Sequence, residues 1–384
     1  MIKKVLIFNY TGWNQVASSL IEGLKLNKNI KIFSTTKSCY GSDIVINSKR
    51  LYNVVSIPGA STPSLYTSSI VCDIDEYIIE CQDLMDECDL VVIYDDNKTL
   101  STAHFYSFWS GASGPGQAQN GLKTDLHEYA LQHHKDKVVM IDVSDFHIME
   151  YGAYAGAHPN YFKTYFKREK NLDDKYPDNV EPLPFSAERR YFASGKDFNK
   201  MWDNKDLNLS CLFRSDGIDE RKNLINEIAN RYGNDDKCVI NNVFGRSCED
   251  GLDEELEGAN TGEGVRHHHK YFDVLSKTKI NIEGRPGNTA FYTGRMMESL
   301  ANGCCYFYPT PTYNVDFPNG LIDGQDFVIY HSAEDLIEKI EYYLANEKEM
   351  KAIAESGMNK LLKYHTSKVR AKEFIETCER YMND

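Results

Sequence analysis

The chain has 384 residues, more than one hydrophobic core usually supports, so two domains are expected. Hydrophobic residues make up 41% and charged residues 26%, with 25 Tyr and 18 Phe, a composition that excludes a mainly disordered chain. A net charge of −14, from 57 acidic against 43 basic residues, argues against an extended basic face for nucleic acid; no apolar run has the length of a membrane span or a signal-peptide core.

In chain order, residues 3–10 read as a buried parallel strand, because their apolar run (5–8) is continuous rather than alternating. Residues 11–14 turn the chain. Val16, Leu20, Ile21 and Leu24 recur at helical spacing over 15–26, and 30–33 returns as a strand. A helix over 74–88 feeds a strand over 89–94 that ends in Asp95, Asp96 and Asn97, and a helix over 124–134 feeds a strand over 138–142. Strands alternating with helices imply a doubly wound α/β sheet, whose ligands bind beyond the carboxyl ends of the strands. The polar residues just past those ends are Asn9, Tyr10, Asp95, Asp96, Asp142 and Asp145, with His147 close behind. Between these strands, 110–121 is rich in Gly, Pro and small polar residues and reads as a loop.

Three prolines in 176–185 mark the approach to a second domain. The expected organisation is a first Rossmann-like domain over 1–190, a connection over 191–206, a second Rossmann-like domain over 207–365 and a terminal helix over 366–384. In the second domain, strands are expected at 207–213, 238–244, 279–282 and 326–330, an apolar run at 304–307, and helices at 220–232, 271–276 and 293–302. Helices over 333–345, 347–363 and 367–381 complete the chain. The ten cysteines are scattered with no C-x-x-C pair, as for reduced thiols in a cytoplasmic protein.

The segment 281–303 places a strand end, a Gly-containing turn and a helix start together. Free amides and the positive helix end at Tyr292, Thr293, Gly294 and Arg295 suit a diphosphate, and the guanidinium of Arg285 or Arg295 could neutralise it. Glu298, about one and a half turns into the helix, could accept hydrogen bonds from ribose hydroxyls. Arg214, after the strand at 207–213, and Arg221, at the next helix start, are further candidates for phosphate oxygens. An ion pair with a neighbouring carboxylate is nearly as good a reading of Arg221. Gly12 and Trp13 lie in a turn that could close over a sugar, and Trp13 could equally be a packing ring. No metal site is expected, since the adjacent His267, His268 and His269 do not converge well on one ion.

The motif Thr293-Gly294-Arg295-x-x-Glu298-x-x-Ala301-x-Gly303, with the strand at 279–282, Gly324-x-Asp326-Phe327-Val328-Ile329-Tyr330 and the Tyr364-His365-Thr366 turn, resembles the donor-binding region of GT-B glycosyltransferases, especially the spore-maturation-protein-B-like and group 1 glycosyl transferases. The resemblance runs over about 271–381, and 180–185 looks like the link into the second domain. It implies two Rossmann-like domains facing a cleft and a final helix crossing back to the first. It further implies sugar transfer from a nucleoside diphosphate sugar, UDP- or GDP-linked, with no cofactor and no bound metal. Glu298 matches the family carboxylate that holds the donor ribose. Many retaining members carry a second glutamate eight positions earlier; Ala290 stands there, which leaves the stereochemistry open. The acceptor is a glycan, a lipid-linked sugar or a protein, and Asp95, Asp142, Asp145 and His147 are the candidate bases for its hydroxyl. Two alternatives stand beside this: a phage-type glucosyltransferase acting on DNA with the same fold, disfavoured by the charge, and a non-catalytic sugar-binding protein.

Overall fold

Strand β1 (Lys4–Asn9) carries apolar residues without alternation because both of its faces are covered. In the computed structural model, which describes residues 1–9, 15–27, 29–34, 53–54, 68–69, 74–95, 129–142, 159–193, 195–213, 219–240, 269–284 and 293–383, Val5 and Ile7 join one core and Leu6 the opposite one. The chain forms two compact units, one of Met1–Phe185, Val315–Phe317 and Ser367–Asp384, the other of Ser186–Asn314 and Pro318–Thr366.

In the first unit α1 (Gln15–Lys25) leads to β2 (Lys31–Ser34), the short β3 (Asn53–Val54) and β4 (Ser68–Ser69) pair antiparallel, and α2 (Ile74–Glu87) leads to β5 (Leu90–Asp95). Then come β6 (Val138–Asp142), β7 (Thr164–Lys167) and β8 (Val180–Pro182). The other six strands form a parallel sheet in the order β2-β1-β5-β6-β7-β8. Strand order reverses between β1 and β5, so their carboxyl ends, Asn9 and Asp95, flank a topological switch point.

The segment 180–185, read from sequence as a link, supplies the edge strand β8, where Pro182 is tolerated because its missing N–H leaves no inner ladder bond unmade.

The second unit runs α3 (Phe198–Trp202), β9 (Leu207–Cys211), α4 (Asp219–Tyr232), β10 (Cys238–Ile240), α5 (His269–Lys277), β11 (Thr278–Ile282), α6 (Gly294–Ala301), β12 (Cys305–Pro309), β13 (Val328–Tyr330), α7 (Ala333–Ala345) and α8 (Glu347–Tyr364). Its parallel sheet has the order β10-β9-β11-β12-β13, with the switch point between β9 and β11. Lys205, buried beneath this sheet, donates from Nζ to the carbonyls of Thr278 (2.7 Å) and Asn302 (2.8 Å), just past the ends of α5 and α6. The ammonium therefore satisfies orphan acceptors at two helix ends at once.

The last helix, α9 (Ser367–Asn383), returns to the first unit and buries Ala371, Phe374 and Cys378 in the core beneath β1 and α1. Ser367 Oγ donates to Glu22 Oε2 at 2.6 Å. Two α/β Rossmann-like units with a returning terminal helix are thus the observed architecture. Among the described residues, no helix is long and apolar enough to cross a membrane, and the described cysteines are free thiols.

Helices α1 and α9 meet at Gly23, where an added Cβ would sit 2.0 Å from the Ser367 carbonyl oxygen and 2.6 Å from Ala371 Cβ. Backbone cannot yield as a side-chain tip can. Gly23→Ala is therefore expected to lower the stability of the protein by roughly 1–3 kcal/mol. Urea unfolding measures it, and an unchanged or higher midpoint contradicts the close approach.

Candidate active site

The site grows from the carboxyl end of β11. Asn281 accepts from Ser210 Oγ of β9 (2.8 Å) and donates to Ser299 Oγ of α6 (2.7 Å), which donates in turn to the Arg295 carbonyl (2.7 Å). This buried polar chain fixes α6 in register over the β9–β11 switch point. Immediately after β11, Gly284 lies against the Phe213 ring, whose nearest carbon is 2.3 Å from where a Cβ would stand. Only glycine lets the backbone pass so close to that face.

Helix α6 begins with Thr293 as its N-cap, in extended backbone (φ −65°, ψ 161°), and the hydroxyl accepts from the Met296 N–H. All eight helical residues are buried, so its two charged side chains must find compensation inside the protein. Arg295 Nε donates to Glu283 Oε2 at 2.6 Å. The same oxygen accepts from Thr293 Oγ1 (3.2 Å) and Tyr306 OH of β12 (2.9 Å), while Tyr330 OH donates to the Glu283 carbonyl (2.6 Å). Burial disfavours the Arg295 charge, but the Glu283 carboxylate outweighs it and holds the guanidinium well above its usual range. Burial, then the same carboxylate, pushes the Tyr306 phenol far up, so it remains a donor.

Glu298, 0% exposed, accepts from Tyr271 OH of α5 at 2.8 Å. It is no solvated helix-face residue. One turn separates it from Arg295, so the start of α6 concentrates a capped helix terminus, a guanidinium and a carboxylate within six residues, with Thr293 as the cap and Gly294 as the first helical residue.

The other sequence candidates fall as follows. Arg221 is half-buried in the first turn of α4. Asp95 ends β5, in register with Asp142 of β6. Gly12, Trp13, Asp145, His147, Arg214, Arg285 and Tyr292 lie outside the described residues.

Asp142 departs from its expectation as a candidate base. Its carboxylate is fully buried and accepts from Lys167 Nζ (2.9 Å) and Tyr165 OH (2.9 Å), both on β7. The buried lysine claims it, and a carboxylate so engaged is a structural counter-charge. Asp326 of the Gly324-x-Asp326 motif is structural too. It accepts from the Ile322 N–H (2.9 Å), Ser356 Oγ (2.6 Å) and Lys360 Nζ (2.9 Å), tying the turn before β13 to α8. What sequence reasoning missed is Glu283 and Lys167: each sits at or beyond a strand end, and only the tertiary partner reveals its burial.

Together the two parallel sheets and the α6 site define an α/β protein of the GT-B glycosyltransferase fold. Its fold is similar to that of HepE from Anabaena, solved in complex with UDP (8% identity, covering 99% of this chain and 100% of that chain, TM-score 0.57). It is similar also to a glycosyltransferase from Rickettsia africae ESF-5 (11% identity, 100% and 99%, TM-score 0.58) and to sucrose-phosphate synthase from Thermosynechococcus elongatus (8% identity, 99% and 99%, TM-score 0.54). Residues 221–376, which include the whole of α6, match the family described as Glycosyl transferase-like. No curated protein matches the sequence.

Two outcomes test these assignments. Replacing Asp142 by Ala removes the carboxylate 2.9 Å from the buried Lys167 ammonium and is expected to cost roughly 3–5 kcal/mol, whereas the double change to Asp142→Leu with Lys167→Met costs less. Chemical denaturation compares them, and a harmless single Ala variant contradicts the pairing. For Asp326, burial raises the carboxyl's pKa, but the bonds from Ser356, Lys360 and Ile322 outweigh it and hold the group below its ordinary value of 3.8. Folding therefore gains from Asp326 above pH 3.8, and the gain disappears as pH falls through the lower folded-state value. Asp326→Asn should flatten the acid limb of a stability–pH curve, and an unaltered acid limb contradicts the assignment.

Proposed function

We propose that the protein transfers a sugar from a nucleoside diphosphate sugar, with UDP the first choice of nucleotide and GDP the second, to a glycan, lipid-linked or protein acceptor, without a metal ion. The observation that carries this reading is the buried Glu298 three residues behind Arg295 and the capped start of α6, inside the segment that matches the glycosyl transferase-like family. In this reading the diphosphate sits at the helix start, where unpaired amides and the helix dipole favour negative charge. Arg295 and Gly294 meet it there, with Tyr292, Arg285, Arg214 and Arg221 as further donor-side residues. Glu298 accepts from the ribose hydroxyls. Support for uridine comes from HepE, whose structures hold UDP, UDP-glucose, and UDP with glucose.

As the sugar–phosphate bond breaks, negative charge grows on the leaving diphosphate, and donors already in place lower that barrier without reorganising. An acceptor hydroxyl needs a base if it is to attack as a nucleophile. Asp95, Asp145 and His147 are the proposed bases, now that Asp142 is engaged by Lys167. Gly12 and Trp13 are proposed to contact the sugar. A cytoplasmic location, where nucleotide sugars and reduced thiols coexist, completes the reading.

Glu298→Gln removes the charge with almost no change in shape. Loss of two hydrogen bonds to a charged acceptor is expected to weaken UDP-sugar binding and donor hydrolysis on the order of 100-fold. Calorimetric titration and a hydrolysis assay against a panel of UDP- and GDP-sugars check this, with circular dichroism to confirm folding. A folded variant with wild-type donor turnover sinks the assignment of Glu298.

A further inference from the structure

Glu283 is a buried charge that the motif resemblance leaves without a role. Its bonding is lopsided. Among the described residues, the three side-chain donors that reach its carboxylate, Thr293 Oγ1, Arg295 Nε and Tyr306 OH, converge on Oε2. Oε1 is equally buried and, among the described residues, has no hydrogen-bond partner. Leaving a buried acceptor unsatisfied opposes folding, so a carboxylate present only for stability would spread its donors over both oxygens.

Arg295 is lopsided in the complementary sense. Glu283 grips it through Nε alone, and among the described residues its two terminal nitrogens take no partner, while the side chain keeps 10% of its surface exposed. A guanidinium held at Nε has its plane and reach set, and its two terminal nitrogens form the fork that matches two oxygens of a phosphate. A bidentate grip by Glu283 on the terminal nitrogens would have consumed that fork.

The same Oε2 also takes the Thr293 hydroxyl, which caps α6, and the Tyr306 phenol of β12. One oxygen thus ties together the end of β11, the start of α6, the guanidinium and the neighbouring strand. Glu283 is itself anchored on the backbone: its N–H donates to the Phe307 carbonyl (2.9 Å), its carbonyl accepts from Tyr330, and Gly284 packs flat on Phe213. Such anchoring keeps the cluster assembled before any ligand arrives, which lowers the ordering cost of binding.

We infer that Glu283 is a positioning residue for the diphosphate of the nucleotide: by holding Arg295 through Nε only and Thr293 at the helix cap, it keeps the two guanidinium N–H donors and the first amides of α6 together as one pre-formed anion seat. This rests on the nucleoside diphosphate reading above and adds to it the residue that organises the phosphate end of the site. Glu283 acts through Arg295 and does not itself touch the nucleotide, since two anions would repel.

The test separates phosphate from nucleoside. Affinities for UDP, GDP, uridine and guanosine are measured by calorimetry, with ligand-observed NMR titration for the weaker nucleosides, on wild type, Glu283→Gln and Glu283→Asp. Glutamine keeps the size and loses the charge; aspartate keeps the charge and withdraws the carboxylate by one methylene. In both variants the diphosphate is expected to bind roughly tenfold more weakly, the loss of one charge-assisted arrangement, while the nucleoside stays within about twofold of wild type. The aspartate variant serves if the glutamine one does not fold. A merely structural role predicts equal losses for UDP and uridine, and that pattern, or UDP affinity unchanged in a folded variant, overturns the inference. If wild type binds neither UDP nor GDP, the donor reading falls and this one falls with it; wild-type binding with the wrong variant pattern removes only the role of Glu283.

Discussion

The second unit is organised by a helix with no solvent face. Helix α6 is eight residues long and buried at every position, yet it carries an arginine and a glutamate. Water cannot discharge the cost of those charges, so the surrounding elements must supply partners. Glu283 answers Arg295 from the end of β11, and Tyr271 answers Glu298 from α5. Because each partner comes from a different element, the charges dictate how strand end, cap and helices meet. Buried polar chains through Ser210, Asn281 and Ser299 then hold that arrangement in register.

The same logic recurs with the buried lysines, which solve it in two ways. Lys167 is neutralised by a carboxylate, Asp142, on the adjacent strand. Lys205 pairs with no carboxylate among the described residues and instead collects carbonyl oxygens left over at the ends of α5 and α6, where the helix dipoles are negative. Burial still lowers the Lys205 pKa, since carbonyl dipoles offset its desolvation only in part. Both lysines brace the sheets from inside. Arg295 and Glu283, which keep bonding capacity to spare among the described residues, lie at the switch-point end of the second sheet.

Much of the architecture was legible as periodicity. Helix α7 spans the expected 333–345, and in the structure Ser332 caps its start, because an amphipathic surface helix announces both its buried stripe and its ends. Helices α8 and α9 extend only one or two residues past their expected limits. Strands β7 and β8 were not legible. Thr164-Tyr165-Phe166-Lys167 ends in a lysine that reads as a surface residue, and Val180-Glu181-Pro182 is short and closed by proline. The spacing of a motif singled out Glu298. It could not single out Glu283, since nothing in a strand-Glu-Gly stretch tells which side chains from 10 to 23 residues downstream will close on one oxygen.

The amino-acid sequence alone determined the α/β alternation, the course of most helices and the start of α6, because these depend on local spacing and on intrinsic chain geometry. Tertiary structure decided what each charge does. It made Asp142 a counter-ion rather than a base, turned Asp326 into a clasp between a turn and α8, and set Glu283 against only one nitrogen of Arg295. The reason is physical: the worth of a charge is governed by its desolvation and by partners distant in the chain, and neither quantity exists until the fold has formed.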